Sequence, residues 1–258
     1  MDTVALSEDG PVAILTLHEP KRRNALSLRM REQLSVSLRE AIRSNRCRAI
    51  VLTGSDGHFC AGGDMRASEI DDGPDPLRTL SNALPLQDIV RLVATGPKPV
   101  VVAVEGSASG AGFSLAAACD VVVASESAMF CASFSKVGLM PDAGILWSLP
   151  RRVGAAKANH ILISGINLTA TEALRIGLAD QLVATGSALE TAIERARELS
   201  QAAPLVEAAT RGVTSRSQEL EAVLAAERQI QPLLTLTGDY ADGRDAFLNR
   251  RASKFTGR

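Results

Sequence analysis

The chain has 258 residues, 28 Lys and Arg against 29 Asp and Glu, a formal net charge of -1, and 46% hydrophobic residues. This length suits one large domain, or a main domain with an appendage, and the apolar content is ample for a buried core. The balanced charge removes any general electrostatic reason to bind nucleic acid or acidic membranes, and the basic pieces Lys21-Arg22-Arg23, Arg151-Arg152 and Arg250-Arg251 are short and scattered.

The opening "VALSEDGPVAILTLHEP" reads as a hairpin, two apolar runs around an Asp-Gly turn with a proline stop. It is not a secretory leader, and no apolar run is long enough to span a bilayer, so a cytoplasmic protein off the membrane is expected. Leu28, Leu34, Leu38 and Ile42 then recur at helical spacing, with Ser27 as the cap. "CRAIVLTGS" is a short buried strand that carries Cys47. Cys47, Cys60, Cys119 and Cys131 form no C-x-x-C pair, and the three histidines add no zinc spacing. Free, partly buried thiols and no metal are expected.

"HFCAGGDM" is a glycine turn, followed by a polar segment from Arg66 to Pro76. "LRTLSNALPLQDIVRLVATGP" predicts a helix despite Pro85, and "KPVVVAVEG" is the strongest buried-strand signal. "CDVVVASES" and "AMFCASF" are further strands, and "PDAGILWSLPRRVG" predicts a capped short helix. "KANHILISG" and "TATEALRIGLAD" read as helical and "QLVATGS" as strand, whereas from Ala188 onward only helical stretches appear. The predicted organisation is an α/β spiral core over residues 1–190 and a helical region over 191–258.

Two segments share one design: "IVLTGSDGHFCAGGDM" and "VVVAVEGSASGAGFSL" each run from a strand through a small-residue turn into a helix. Small residues let a ligand approach the backbone, and the first amides of a helix lack internal partners. Such amides, aided by the helix dipole, suit a negative oxygen.

In this order, "FCAGGD" and "KPVVVAVEGSASGAGFSLAAACD" resemble the crotonase superfamily, the enoyl-CoA hydratase/isomerase family. The resemblance continues through "VGLMPDAG", "LISGINLTATEALRIGLADQLV" and "GRDAFLNRRASKFTG", nearly the whole chain. It implies a spiral of ββα units with a helical trimerisation region, and a homotrimer or a dimer of trimers. The implied substrate is an acyl-CoA thioester, with no separate cofactor. Its carbonyl would accept backbone N–H bonds from Ala61 and Ala111, flanked by Gly62 and Gly110; many relatives have glycine at the position of Ala111. Lys21, Ala25 and Leu26 match the part that contacts the CoA nucleotide. Asp64 and Met65 would flank the adenine, with Asp64 equally readable as a helix cap. Lys254 and Phe255 match a segment that approaches the CoA of a neighbouring subunit. Ser81, Asn82 and Gln87 fall in the segment that shapes the acyl pocket.

Hydratases of this family carry two glutamates that hold the attacking water. Their positions here are Ser114 and Phe134. Ser114, three residues after Ala111, is expected to share the face toward the site, but serine is not basic near neutrality and phenylalanine moves no proton. One carboxylate remains: Asp142 in "GLMPDAG" is either a helix cap or the acid/base of an isomerase. Dienoyl-CoA isomerases and the ring-epoxide isomerases of phenylacetyl-CoA breakdown use an acidic residue hereabouts. The chain looks most like the latter group, although Gly144-Ile145-Leu146 replaces their usual "GGT". A single base facing an oxyanion hole suffices to isomerise. The alternatives are a hydratase or thioester hydrolase with atypical residues, and a non-catalytic acyl-CoA binder. RNA binding, known in one branch, predicts a basic stripe that this chain lacks.

Overall fold

The computed structural model describes residues 3–65 and 75–257. Most of the polar Arg66–Pro76 segment therefore lies outside the described residues. The predicted hairpin is β1 (Val4–Asp9) and β2 (Val12–Leu17), antiparallel from Val4 opposite Leu17 to Asp9 opposite Val12. Helix α1 (Leu28–Arg43) follows, capped by the Ser27 side chain, which accepts the Met30 N–H. Next come β3 (Ala49–Gly54), α2 (Pro76–Thr95, with Pro85 inside) and β4 (Val100–Val104). After β5 (Ser107–Ser109) and α3 (Ala111–Ala118) come β6 (Val121–Ser125) and β7 (Met129–Cys131).

The second half holds α4 (Ile145–Val153), α5 (Ala155–Ser164), β8 (Asn167–Thr169), α6 (Ala170–Arg175) and β9 (Gln181–Val183). It ends in four helices, α7 (Ala188–Leu199), α8 (Pro204–Thr214), α9 (Ser217–Leu234) and α10 (Gly238–Leu248). Of these the sequence reading missed α8, whose Pro204 stands in its first turn. Three-residue strands β5 and β8 also escaped it, being too short to show a period.

The large sheet runs β1-β2-β3-β4-β6-β9, parallel from β2 onward, and a smaller sheet runs β5-β7-β8. Strand alternation sorts the core. Ile50, Leu52, Val100 and Val102 point to one side with Leu34 and Leu38 of α1 and Ile89 and Val93 of α2. Val51, Val101 and Val123 point to the other, where Ala188, Ala192 and Ala196 of α7 pack closely on them. Both faces are covered, which explains the unbroken apolar runs of β3 and β4.

No described helix is long and apolar enough to cross a membrane. Three of the four cysteines are buried, the fourth is half-buried, and all are free.

Candidate active site

The two glycine turns meet. Cys60 N–H donates to the Ser107 carbonyl and Ser109 N–H to the Cys60 carbonyl, each at 2.9 Å, so a short parallel bridge stitches the turns together. Only small residues allow this closeness. A Cβ on Gly112 would stand 2.6 Å from the Cys60 carbonyl oxygen and 2.8 Å from its Sγ. Gly112→Ala is expected to lower stability by about 1–3 kcal/mol through overpacking, read as a fall in Tm. Gly62, at φ +94°, would bring a Cβ within 2.6 Å of the Ser109 oxygen and 3.5 Å of the Ala111 nitrogen.

This packing decides which amides are available. The Ala61 N–H, expected as the first donor, already donates to the Arg23 carbonyl at 2.9 Å. That expectation is corrected: chain from before α1 uses Ala61 to anchor the turn. Two residues on, the Gly63 N–H has no partner among the described residues, and neither has the Ala111 N–H at the first position of α3. Both residues line one cavity of about 230 Å³, which Gly62, Asp64, Met65 and Gly110 also line. Two unspent amides, one at a helix N-terminus, make a receptor for a negative oxygen.

Asp142 stands on the wall of the same cavity. The predicted helix begins only at Ile145, behind Gly144 with φ 72°, and the Asp142 side chain caps nothing. Its oxygen Oδ2 instead accepts from Gln231 Nε2 at 3.3 Å. The residue is half-buried, with its carboxyl on the cavity wall. Burial pushes its pKa up from 3.8, against the Gln231 hydrogen bond and the charge of Arg31. A carboxylate so placed is a stronger base than a solvated one.

The other candidates divide. Phe134 lines the cavity as an apolar wall, 5% exposed. Ser114 does not reach it. It is fully buried, and its hydroxyl donates back to the Gly110 carbonyl at 3.2 Å. The expectation that residue 114 faces the site fails because the α3 face carrying it packs into the core. Ser114→Ala should therefore keep turnover within about tenfold, well short of the roughly 10²–10⁴-fold carried by a general acid or base.

Lys21 lies in an exposed 3-10 turn, whereas Ala25 and Leu26 are buried, and the Leu26 N–H holds the Gly62 carbonyl at 2.7 Å. Asp64 pairs with Arg22; a capping role would act on amides outside the described residues. Lys254 and Phe255 lie beyond the cavity, the former with its N–H on the Asp242 carboxylate of α10. Of the acyl-pocket segment, Asn82 lines the cavity; Gln87 is buried, donating to the Leu224 carbonyl at 3.0 Å.

Sequence reasoning missed the far wall. Gln231 of α9, Thr235 just after it, and Tyr240 and Phe247 of α10 close the cavity, and Arg31 of α1 joins them. A signal was present. Leu220, Leu224, Glu227 and Gln231 fall on one helical stripe, all buried, so two polar residues occupy core-facing positions of α9.

Comparison with known proteins agrees with this architecture. The profile of a family described as Enoyl-CoA hydratase/isomerase matches residues 7–258. The chain is 37% identical, over all of both chains, to 1,2-epoxyphenylacetyl-CoA isomerase of Escherichia coli K12. It is also 37% identical, again over all of both, to 2,3-dehydroadipyl-CoA hydratase of the same organism. Among solved structures, an enoyl-CoA hydratase from Mycobacterium avium subsp. paratuberculosis K-10 superposes with a TM-score of 0.87 at 27% identity, covering 98% of each chain.

Proposed function

The chain belongs to the enoyl-CoA hydratase/isomerase family, and from that premise we propose that it isomerises an acyl-CoA thioester through an enolate. The thioester oxygen sits between the Gly63 and Ala111 amides. The Asp142 carboxylate removes a proton near the thioester, its O–H forming as the C–H bond breaks. The electron pair moves onto the thioester oxygen, and the same carboxyl returns the proton at another carbon or during ring rearrangement. Acyl-CoA is the substrate, no separate cofactor takes part, and a homotrimer or dimer of trimers in the cytoplasm is the working form.

One observation carries this reading: a half-buried Asp142, held by Gln231, shares a cavity with two unspent amides. Each such donor contributes roughly 3–4 kcal/mol to the transition state. Asp64, Asp75 and Asp142 all line the cavity. Asp64 is paired with Arg22, Asp142 is the one held by Gln231, and the hydratase positions hold a core serine and an apolar Phe134. Hydration is the second reading, favoured by the hydratase among the relatives at equal identity; its water would have to be held by Asp142 with Gln231.

Product analysis by NMR separates the two. Purified protein with 3-enoyl-CoA and 2-enoyl-CoA thioesters is expected to move the double bond. Formation of a 3-hydroxyacyl-CoA instead would replace isomerisation with hydration.

A further inference from the structure

Helix α9 grips the loop that carries Asp142 at two points one turn apart. Gln231 Oε1 accepts the Met140 N–H at 3.1 Å, and its Nε2 donates to the Met140 carbonyl at 2.8 Å and to Asp142 at 3.3 Å. Glu227 Oε1 accepts the Gly144 N–H at 2.9 Å, and the Ala143 amide also bonds this carboxyl. Glu227 is 3% exposed. It and Asp142 border a second, small cavity of about 20 Å³, behind the acyl pocket. This volume suffices for roughly one water molecule. Two carboxyls thus stand together, Glu227 in the core and Asp142 half-buried at its edge, with one cationic group on each side, Arg31 of α1 toward Asp142 and Arg228 of α9 toward Glu227. Tyr240 on α10 lines the acyl pocket as well.

We propose that Glu227 is a positioning residue for Asp142: as a neutral acid it fixes the 142–144 loop and leaves the one negative charge of the pair on Asp142. The inference rests on Asp142 being the acid/base. Interacting like charges, one of them in the core, do not both form readily. Burial first, and then the Asp142 charge, push Glu227 up to about 8, against its hydrogen bonds from Gly144 and Ala143. Glutamine has the same shape, can accept the same amide bonds and is always neutral, so it should replace Glu227. Alanine removes the grip.

The test uses the full-length protein with Glu227→Gln, Glu227→Ala and Asp142→Asn. For a group raised in the folded state, stability falls as pH rises from its ordinary 4.5 toward about 8. Glu227→Gln lacks that loss. Its Tm minus that of wild type is expected to grow over this interval and level off above it. A ¹³C signal of the Glu227 carboxyl, identified as the one missing in Glu227→Gln, should report the protonated form at pH 7. In Asp142→Asn that signal should titrate at lower pH. With an enoyl-CoA thioester, Glu227→Gln should keep kcat, and Glu227→Ala should lose kcat by roughly ten- to hundred-fold with KM little changed.

A Glu227 ionised at pH 7, or a Tm difference independent of pH, overturns the inference; both readouts need no turnover. Full activity in Glu227→Ala overturns it too. Full activity in Asp142→Asn instead removes the acid/base assignment, while the Glu227 titration still stands as measured.

Discussion

Asp142→Asn is expected to lower kcat for acyl-CoA isomerisation by roughly 10²–10⁴-fold, the range for loss of a general acid/base. KM should move little, because the amide fits the same space and still meets Gln231. The substitution should not harm the fold. Burial raises the Asp142 pKa above 3.8, so the folded state favours the neutral form, and wild-type stability falls as pH rises through the raised value. Asn carries no such charge. The variant is expected to melt at the same temperature as wild type or higher near neutral pH, an exchange of activity for stability common at active sites. The wild-type pH profile should agree: kcat/KM falls as Asp142 protonates, with an acid limb that lies above 3.8.

The second large effect concerns the backbone. Ala111 is the first residue of α3, a position where proline is well tolerated because its missing N–H is not part of the helical ladder. Gly110 before it, at φ 49° and without a Cβ, can accommodate the constraint that proline places on its neighbour. Ala111→Pro therefore deletes one amide donor and little else in the fold. Turnover should fall by roughly 10²–10³-fold, with the far-UV spectrum and Tm close to wild type. Removal of one donor with no kinetic effect would mean that the thioester oxygen binds elsewhere.

How much of this was legible in the sequence differs from residue to residue. The strands of the large sheet were readable because β3 and β4 are buried on both faces and need continuous β-branched runs. The pairing of the two turns was readable from the resemblance, which also pointed to Ala111, whose N–H has no partner among the described residues. The resemblance also pointed to Ala61, whose N–H is spent, while the free amide lies two residues on, at Gly63. Which amide of Ala61-Gly62-Gly63 is free depends on the Arg23 carbonyl, a partner supplied by chain folding and not by local pattern. Ser114 was misread for a related reason. A spacing of three from Ala111 gives a shared helix face, but every residue of α3 is buried, so one turn on that face is core and not cavity wall.

Asp142 could not be decided from sequence, since a cap and an acid/base both fit "PDAG". The left-handed turn at Gly144, which delays α4 to Ile145, leaves the Asp142 side chain without a capping bond. The far wall was the largest omission. Glu227 and Gln231 stand on the apolar stripe of α9, where a polar residue always requires a partner. Treating the C-terminal helices as an oligomerisation region hid that requirement.

The most direct measurement is proton exchange at the α carbon of a 3-enoyl-CoA thioester in D₂O, followed by NMR for wild type, Asp142→Asn and Ala111→Pro. Exchange needs only the base and the oxyanion receptor, and does not depend on how the intermediate collapses. The account predicts deuterium at the α carbon with wild type, and its near-absence in both variants. Exchange that persists undiminished in Asp142→Asn would contradict it.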